Sequence, residues 1–512
     1  MTASPHPPPS SILVVGAGVF GLSTTLSLLL SPRYTSTRIT LLDSHAPICD
    51  SASSSSTAIP DDIEDSCNPH GASIDTSRII RADYSNPVYT SLASQAQERW
   101  RSDDALNKHY HECGLAVVGS KGQNGWEYIE KSKHNVAAAH EEDSQKTERP
   151  DGEPHEDVQV LENEEAIREI LDTDGGSSGE AGYVNWRSGW ADAGGAMRET
   201  RARVSALART QARTLWKRGQ ASRLLFGALP SSSPPSSSSS PSPQRAVTGV
   251  QLTDGTALHA DLTILATGAW TGSLLDLRGR VEASGQVVAY VPLSPSEAQR
   301  LRNMPVILNF ATGMFAIPPS HPPPPSSPLI APPDPHLKIA RHAYGYRNPT
   351  TIQDPSQDDG NSSRTVSLPA STFSAIPPEG ESACRTFLAS LVPWLADRPF
   401  SATRLCWYAD TPEGNFVVDY HPGVRGLFLA TGGSGHAFKF LPVLGARVLE
   451  AVEGRLEEAG LGACWGWKGV VEGFVGTEDG SRGEVRGVLG VEMGRGRDGR
   501  GERVRRDGGS KL

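Results

Sequence analysis

The sequence predicts an α/β protein in which a Rossmann-type dinucleotide-binding domain carries an inserted, mainly antiparallel β-sheet. A strand-like run at 11–15 leads through a glycine turn into an apolar, helix-compatible run that ends near residue 30. A second strand-like run follows at 38–44, and a buried strand, a glycine turn and a helix recur at 426–452. Between these units, the stretch 285–315 favours strands.

The first glycine turn has the spacing G-x-G-x-x-G. Gly16 permits the tight turn, Gly18 lets the backbone approach a pyrophosphate, and Gly21 lets helix and strand pack closely. The N-terminus of the following helix favours the phosphate charge. Because a strand precedes these glycines and a helix follows them, the motif predicts a dinucleotide site.

Asp43 ends the second strand-like run, at the distance from the last glycine where a ribose-binding carboxylate is expected. The competing interpretation is a glycine-rich loop in another α/β fold. The order of strand, fingerprint, helix, strand and acid favours the dinucleotide site. The fingerprint alone leaves NAD and FAD open.

The overall composition excludes several classes of partner. The net charge is −10, with 58 acidic against 48 basic residues, which argues against nucleic acid. No apolar run is long enough to cross a membrane, and the N-terminus lacks the features of a secretory signal. The six cysteines have neither metal-ligand nor disulfide spacing, so we expect free thiols and no metal site.

The last three residues, Ser510, Lys511 and Leu512, match the peroxisomal address S-K-L. This match predicts recognition by the peroxisomal import receptor. We therefore expect the protein in the peroxisome.

Composition shifts along the chain predict its domain organisation. We assign the dinucleotide-binding domain to 11–275 and 423–460, the inserted sheet domain to 276–422, and a flexible tail to 461–512. Polar, acidic or Ser/Pro-rich composition predicts loose insertions near 51–65, 122–157, 231–243 and 318–335.

Two arginines, Arg78 and Arg81, flank a pair of isoleucines just after the first insertion. Cations buried between apolar neighbours need anionic partners. The alternative is an edge strand with surface arginines. The pairing of both arginines with isoleucines favours a site.

Five motifs in this order resemble those of one family: SRIIRADY, ATGAW, LKIARHAYG, RLCWYADTP and ATGGSGHAFKF. The chain resembles FAD-dependent amine oxidases of the monomeric sarcosine oxidase group, which also contains N-methyltryptophan, pipecolate, saccharopine and fructosyl amino acid oxidases. The resemblance covers most of the chain from residue 11 to about residue 452. It implies FAD in place of NAD, and a monomer.

The resemblance also implies roles for residues near the flavin. Cys406 matches the cysteine joined covalently to the flavin, although burial as a small hydrophobe is the alternative. Lys338 matches the lysine that activates O2, where a fixed cation stabilises the charge that develops on oxygen. Arg78 matches a basic residue against the flavin ring. His342 matches a histidine on the substrate side, and a hydrogen-bonded core histidine is the alternative.

Two further matches concern the substrate carboxylate. The resemblance assigns it to Arg81, whose guanidinium can grip it with two prongs, and to Lys439, which adds a point charge. The full set of residues expected to contact the cofactor is Gly16, Gly18, Val19, Phe20, Gly21, Asp43, Ser44, Ser77, Arg78, Cys406, Gly432, Gly433, Ser434, Gly435, His436 and Lys439.

The turn GGSGH has a mechanism of its own in this interpretation. Hydride transfer leaves the flavin ring anionic, and backbone N–H groups with the positive end of a helix would stabilise that charge. We expect the same turn to deliver Lys439 one helical turn further on.

The resemblance implies oxidation of the secondary amine of an amino acid of the sarcosine, pipecolate or saccharopine type. The electrons pass through FAD to O2, giving an imine and hydrogen peroxide. Alternatives are a fructosyl amino acid oxidase, a flavin dehydrogenase and a non-catalytic flavoprotein. The fructosyl branch usually has lysine at the position of Arg78, and sarcosine oxidases have a His-Gly pair where Ile74 and Asp75 stand.

Overall fold

The computed structural model describes residues 7–45, 68, 70–144, 157–227, 245–319, 335–343, 345–354, 362–370, 375–456, 460–472 and 487–498. The insertions expected near 51–65 and 231–243, most of 318–335, and Ser510–Leu512 lie outside these ranges. The expectations of loose insertions and of a peroxisomal address there stay predictions.

Eleven helices occur in the described part of the chain. They are α1 Val19–Leu30, α2 Pro87–Ser102, α3 Trp126–Ser144, α4 Glu164–Leu171, α5 Ala193–Thr210, α6 Thr271–Leu274, α7 Pro295–Leu301, α8 Pro378–Leu391, α9 Leu441–Val452, α10 Leu461–Trp465 and α11 Leu489–Asp498. None of these helices is both long enough and apolar enough for a membrane span.

The strands of the described residues fall into two groups along the chain. The first group is β1 Ser11–Val15, β2 Arg38–Asp43, β3 Arg78–Ile80, β4 Tyr110–Glu112, β5 Leu115–Gly119, β6 Val158–Leu161, β7 Ala181–Asn185, β8 Gly189–Ala191, β9 Thr214–Arg218, β10 Ala221–Gly227, β11 Arg245–Leu252 and β12 Ala257–His259. The second group is β13 Leu262–Leu265, β14 Glu282–Pro292, β15 Val306–Asn309, β16 Met314–Ile317, β17 His336–Arg341, β18 Pro349–Gln353, β19 Ser363–Ser367, β20 Ala402–Asp410, β21 Val417–Tyr420, β22 Val424–Arg425 and β23 Leu427–Thr431.

A six-stranded sheet carries the glycine fingerprint. Its strand order is β21-β23-β13-β1-β2-β9, with parallel pairing from β23 to β9 and an antiparallel edge at β21. All five residues of β1 are buried, as expected for a parallel strand covered on both faces. Helix α1 packs between this sheet and α9.

The second large sheet has eight strands in the order β20-β14-β17-β16-β15-β5-β7-β6. Every pair in it is antiparallel except β15 with β5. The predicted α/β fold class, with a Rossmann-type sheet and a mainly antiparallel second sheet, is confirmed. The predicted hairpin at Asp254–Gly255 is confirmed as β11 and β12.

The predicted domain boundaries differ from the sheets. Strands β5, β6 and β7 lie within 11–275 but belong to the eight-stranded sheet, while β21 lies within 276–422 but pairs in the six-stranded sheet. The reason is long-range pairing, which local strand patterns do not encode. Each sheet is therefore assembled from more segments than the sequence predicted.

Two stretches predicted to be unpacked contain buried helices. The first is α3, within the expected loose stretch 122–157, because Tyr128, Ile129 and Val136 pack into the core. The second is α10, within the expected flexible tail, where Trp465 is fully buried. Sparse apolar residues in a polar segment were enough to dock each helix.

Candidate active site

A cavity of about 550 Å³ lies where strands β1 and β2 of the six-stranded sheet end. Ligands of open α/β sheets bind outside the carboxyl ends of the strands. The cavity is lined by ten of the predicted cofactor residues: Gly16, Gly18, Val19, Phe20, Asp43, Ser44, Arg78, Gly433, Ser434 and Gly435. The chain thus brings its first and last glycine turns together around one space.

The first glycine turn has the geometry that the fingerprint predicts. Gly16 has φ +101°, and a Cβ on it would lie 2.5 Å from the carbonyl oxygen of Ala266. A Cβ on Gly21 would overlap the carbonyl oxygen of Gly16. Only glycine therefore fits where the strand, the turn and α1 meet.

The Asp43 carboxylate holds the same turn in place. Its Oδ2 accepts a hydrogen bond from Ala17 N at 2.7 Å, and its Oδ1 accepts from His45 N at 2.8 Å. Asp43 also lines the cavity beside Ser44. The carboxylate lies where the ribose contact was predicted, and that contact stays a prediction.

Arg201 of α5 is a cavity residue that the sequence analysis missed. The residue is only 2% exposed, and its Nε and Nη1 atoms have no hydrogen-bond partner among the described residues. The guanidinium carbon lies 5.3 Å from the centre of the Trp216 ring. A buried, unsatisfied cation is costly, so the cavity fits a ligand with anionic or hydrogen-bonding groups, such as the phosphates of a dinucleotide.

A second, smaller cavity, which we call the inner chamber, adjoins the first and shares Arg78, Tyr408, Gly435 and Phe438 with it. Its remaining lining residues are Ile79, Arg81, Leu308, Phe315, Ile317, Lys338, His342, His436 and Lys439. All of its charged lining residues among those described are cations. The inner chamber therefore favours an anionic ligand.

Arg81 and Lys439 are buried in the inner chamber without a carboxylate at ion-pair distance among the described residues. The Arg81 guanidinium carbon lies 4.7 Å from the centre of the Tyr84 ring, and within the described part of the chain its nitrogens donate only to the Tyr128 hydroxyl. Burial and then the charge of Arg81 hold the pKa of Lys439 well below its usual value. Arg81 and Lys439 can therefore form an ion pair with an anionic ligand.

A chain of hydrogen bonds orients the Lys439 ammonium. Lys439 Nζ donates to Tyr84 Oη and to the His436 carbonyl oxygen, each at 2.9 Å. His436 Nε2 lies 2.8 Å from the Gly414 carbonyl oxygen, which can only accept, so Nε2 carries the proton. Its Nδ1 lies 2.8 Å from the Tyr84 hydroxyl oxygen, so Tyr84 connects His436 with Lys439.

Lys338, in the middle of β17, lies in a buried ion cluster. Its Nζ donates to Asp75 Oδ2 at 2.8 Å and to the Ser77 carbonyl oxygen at 2.5 Å. Asp75 Oδ2 also lies 3.0 Å from Arg404 and 3.4 Å from Arg78. Burial lowers the pKa of Lys338 to about 8, although Asp75 opposes this shift.

Cys406 lies beside the cavities without lining either of them. Its side chain is fully buried on β20, and Arg78 Nη2 lies 3.1 Å from its Sγ atom. Burial disfavours the charged form of Arg78, but the neighbouring Cys406 and Asp75 hold its pKa above the usual value. Three other predicted cofactor residues, Gly21, Ser77 and Gly432, also lie outside the cavity linings.

The second glycine turn differs from its prediction in one respect. Lys439 lies on a short 3-10 helix, Phe438–Phe440, and α9 begins only at Leu441. The turn itself is formed by left-handed residues, and a Cβ on Gly435 would overlap the Tyr408 ring. The backbone of the turn reaches the cavity, while the N-terminus of α9 starts beyond it.

His342 follows β17 directly and lines the inner chamber. Its backbone N donates to the Gly313 carbonyl oxygen at 2.7 Å, and its ring centre lies 5.9 Å from that of Tyr408. His342 therefore lies at the inner chamber, and its predicted place on the substrate side of the flavin and its role in the reaction stay predictions.

Several partners of the predicted site residues were not predicted from the sequence. Asp75 stands three residues before Arg78, Tyr84 three residues after Arg81, and Arg404 two residues before Cys406. The alternation of a strand predicts that Arg404 and Cys406 share one face. The sequence signal that could have identified these partners was a charged or aromatic residue two or three positions from a predicted site residue.

The family and relatives of the chain agree with this geometry. The family model for FAD-dependent oxidoreductases, DAO, matches residues 11–451. The chain is 34% identical over 492 residues to amino acid oxidase imqH of Aspergillus flavus, covering 87% of this chain and 93% of that protein. It is 28% identical over 466 residues to L-saccharopine oxidase of Schizosaccharomyces pombe, covering 90% and 93%.

Solved structures share the fold. The crystal structure of fructosyl amine:oxygen oxidoreductase (Amadoriase I) from Aspergillus fumigatus matches with a TM-score of 0.67 and 25% identity, covering 94% of this chain and 93% of that one. The resemblance drawn from the motifs is thereby confirmed. Because the family model spans most of the sequence and imqH aligns over nearly its whole length, the chain belongs to the DAO family of FAD-dependent oxidoreductases.

Proposed function

We propose that this protein oxidises the secondary amine of an amino acid with FAD and O2. The observation that carries the proposal is the pair Arg81 and Lys439, two buried cations without a carboxylate partner among the described residues. They line the same inner chamber as Lys338. A substrate carboxylate is the anion that would satisfy both.

Arg81 and Lys439, which we call the carboxylate clamp, orient the substrate as well as holding it. The planar Arg81 guanidinium can make paired hydrogen bonds to a carboxylate, and the Lys439 ammonium adds a second charge. Tyr84 contacts both cations and fixes their positions.

A bound FAD would supply the redox chemistry: a hydride would leave the carbon next to nitrogen and the amine would release a proton, so that two electrons and two protons reduce O2 to hydrogen peroxide. The chain supplies the electrostatics around that chemistry. Lys338, held by Asp75 and Ser77, places a positive charge where oxygen acquires negative charge. Relatives named as saccharopine oxidase and amino acid oxidase support the proposed oxidation of an amino acid.

The walls of the inner chamber favour an apolar substituent on the substrate. Its uncharged lining includes five apolar residues: Ile79, Leu308, Phe315, Ile317 and Phe438. Sugar hydroxyls buried against such side chains would lose hydrogen bonds to water without replacement. We therefore rank an amino acid with an apolar substituent on its amine or α-carbon above a fructosyl amino acid.

Anaerobic bleaching of the purified flavoprotein tests the proposal. The panel is sarcosine, L-pipecolate, L-saccharopine, N-methyl-L-leucine and fructosyl-valine, and the matched control is the methyl ester of the best substrate. We expect an apolar secondary amine to bleach the flavin fastest and its ester to bind poorly. Absence of bleaching with every amine refutes the proposal, and bleaching without peroxide in air identifies a dehydrogenase.

We also propose that the flavin is attached through a thioether between Cys406 and the 8-methyl carbon of the ring. Its formation would break the Cys406 S–H bond and one C–H bond of that methyl group, and the two electrons and two protons released would pass to O2, giving hydrogen peroxide. The support is the position of Cys406: its Sγ lies 3.1 Å from Arg78 Nη2, and Arg78 lines both cavities. The wild-type protein should keep its yellow colour after acid precipitation, and Cys406→Ala should release it to the supernatant. Colour released by the wild-type protein would rule out attachment.

A further inference from the structure

Among the described residues, Asp75 is the only acidic member of the buried ion cluster that also contains Lys338, Arg78 and Arg404. Its side chain is fully buried, and its Oδ2 contacts Lys338, Arg404 and Arg78. Its Oδ1 accepts hydrogen bonds from Tyr290 Oη at 2.6 Å and from Thr76 N at 2.7 Å. Five donors from four parts of the chain thus converge on one carboxylate.

The charge balance of this cluster is unusual for a buried site. Three cations share one anion, so the cluster keeps a net charge of about +2 beside the two cavities. Arg78 lines both cavities and Lys338 lines the inner chamber. Arg404 lines neither cavity and pairs with Asp75 at 3.0 Å.

We propose that Asp75 is a positioning residue that keeps Lys338 charged and fixed at the edge of the flavin site. The inference rests on the proposed function, because it assigns Lys338 to the reaction with O2. Asp75 itself lines neither cavity, so it acts through the lining residues that it contacts, and Lys338 is the nearer of the two at 2.8 Å. It has this role because no other described carboxylate lies within ion-pair distance of Lys338.

The groups around Lys338 give the sign of the effect. It faces Asp75 and the Ser77 carbonyl from the segment before β3, Arg78 from β3, Arg404 from β20, and Tyr290 from β14. His336 and His342 flank it on β17 and just beyond. Burial, Arg78 and Arg404 lower its pKa, and only Asp75 among these raises it.

Removal of Asp75 should therefore lower the pKa of Lys338 further. The pKa of about 8 leaves the amine mostly protonated at neutral pH. An opposite charge at such a distance moves a pKa by about 1–3 pH units. Without Asp75 the amine becomes neutral at neutral pH, and its contact with the Ser77 carbonyl loses its charge-assisted character.

The experiment uses the full-length flavoprotein and its Asp75→Asn variant. The flavin is reduced with light in the absence of substrate, and its reoxidation by O2 is followed by stopped flow from acid to alkaline pH. The visible spectrum of the oxidised flavin is titrated over the same range as a readout independent of activity. Glu453→Gln is the matched control, because Glu453 is a buried, arginine-paired carboxylate that caps the C-terminus of α9 and lines neither cavity.

We expect reoxidation and the spectrum to titrate with one pKa in the wild type. In Asp75→Asn both should move towards acid by about 1–3 pH units, with fast reoxidation recovered at low pH. Lys338→Met should abolish the titration, and adding Asp75→Asn to it should change nothing further. Equal slowing at every pH, or an added effect in the Lys338→Met background, would overturn the proposal.

Arg404→Gln keeps the proposal testable if Asp75→Asn does not fold. It removes a cation that opposes the charge of Lys338, so both profiles should move towards alkaline pH. A movement towards acid, or none, contradicts the inference. Because the flavin is reduced without substrate, a failed amine panel would reject the proposed function and leave the Asp75 result interpretable.

Discussion

At the scale of single residues, the site depends on cations that the protein itself leaves incompletely neutralised. Arg81 and Lys439 line the inner chamber, while Arg201 lines the larger cavity. Each is buried, and none has an ion-pair partner among the described residues. Because an unpaired buried charge destabilises the free protein, ligands that pair with it gain affinity.

The pKa of Lys439 predicts the direction of proton exchange when a carboxylate binds. Burial and the charge of Arg81 lower its pKa in the free protein, and a bound carboxylate would raise it again. Binding must therefore take up a proton at pH values between the two pKa values, and affinity must fall as pH rises above the free-protein pKa. We expect proton uptake when propionate binds, measured by calorimetry in two buffers of different ionisation enthalpy.

The control for this measurement is Lys439→Met. It keeps the volume of the side chain and removes the titrating group, so uptake should disappear. Uptake that persists in Lys439→Met would instead assign the proton to Lys338, whose pKa of about 8 lies in the same range.

Replacement of Arg201 should affect the stability of the apoprotein and the stabilisation by FAD in opposite directions. Arg201→Met removes an unsatisfied buried cation, so the melting temperature of the apoprotein should stay the same or rise. The further rise that FAD produces should shrink, because the cofactor loses a charged contact. The matched control is Arg203→Met, because Arg203 lies on the same helix as Arg201. This substitution removes a partly exposed ion pair with Asp103 and should leave the FAD effect unchanged. A full FAD effect in Arg201→Met would exclude the contact.

The sequence predicted chamber residues better than their partners. Arg81, Lys338 and Lys439 were found because each stands in a motif, and the structure places them in one chamber. Asp75 and Tyr84 were missed because the sequence of an irregular segment does not tell which side chains turn inward. That orientation depends on β14, β17 and the turn before α9, which are distant in sequence.

At the scale of elements, two helices tie the first glycine turn to the second. Helix α1 begins at the first turn, and α9 follows the second and packs directly on α1. Gly445 makes this close approach possible, since a Cβ there would overlap the Ser23 carbonyl oxygen. The predicted strands β1 and β2 and the hairpin were visible locally, whereas this contact between helices was not.

Gly445→Ala should destabilise the protein by about 1–3 kcal/mol, the usual cost of forcing an extra methyl group into a packed contact. Urea unfolding with far-ultraviolet circular dichroism measures the change. Gly490→Ala in α11 is the matched control, because no described atom lies within 4 Å of the added Cβ. The control should be neutral or slightly stabilising, as alanine favours helices. Equal effects of both substitutions would contradict close packing at Gly445.

At the scale of the whole molecule, the segment predicted to be a flexible tail supports the site. Trp465 Nε1 donates to the Tyr89 hydroxyl at 3.1 Å, and its ring lies 5.4 Å from that of Phe416. Tyr89 stacks on Tyr84 at 5.3 Å, and Tyr84 in turn holds Lys439. An aromatic series therefore connects α10 to the carboxylate clamp.

Trp465→Ala should lower the free energy of unfolding by about 3–5 kcal/mol, because a large buried ring leaves a cavity. It should also weaken carboxylate binding, since Tyr89 and Tyr84 lose their support on one side. The control Val470→Ala changes an exposed residue of the same segment and should stay within about 0.5 kcal/mol. Trp465→Phe keeps most of the ring and should recover much of both effects. Weaker stability with unchanged carboxylate affinity would confine α10 to a structural role, because the aromatic series would then carry packing energy without positioning Lys439.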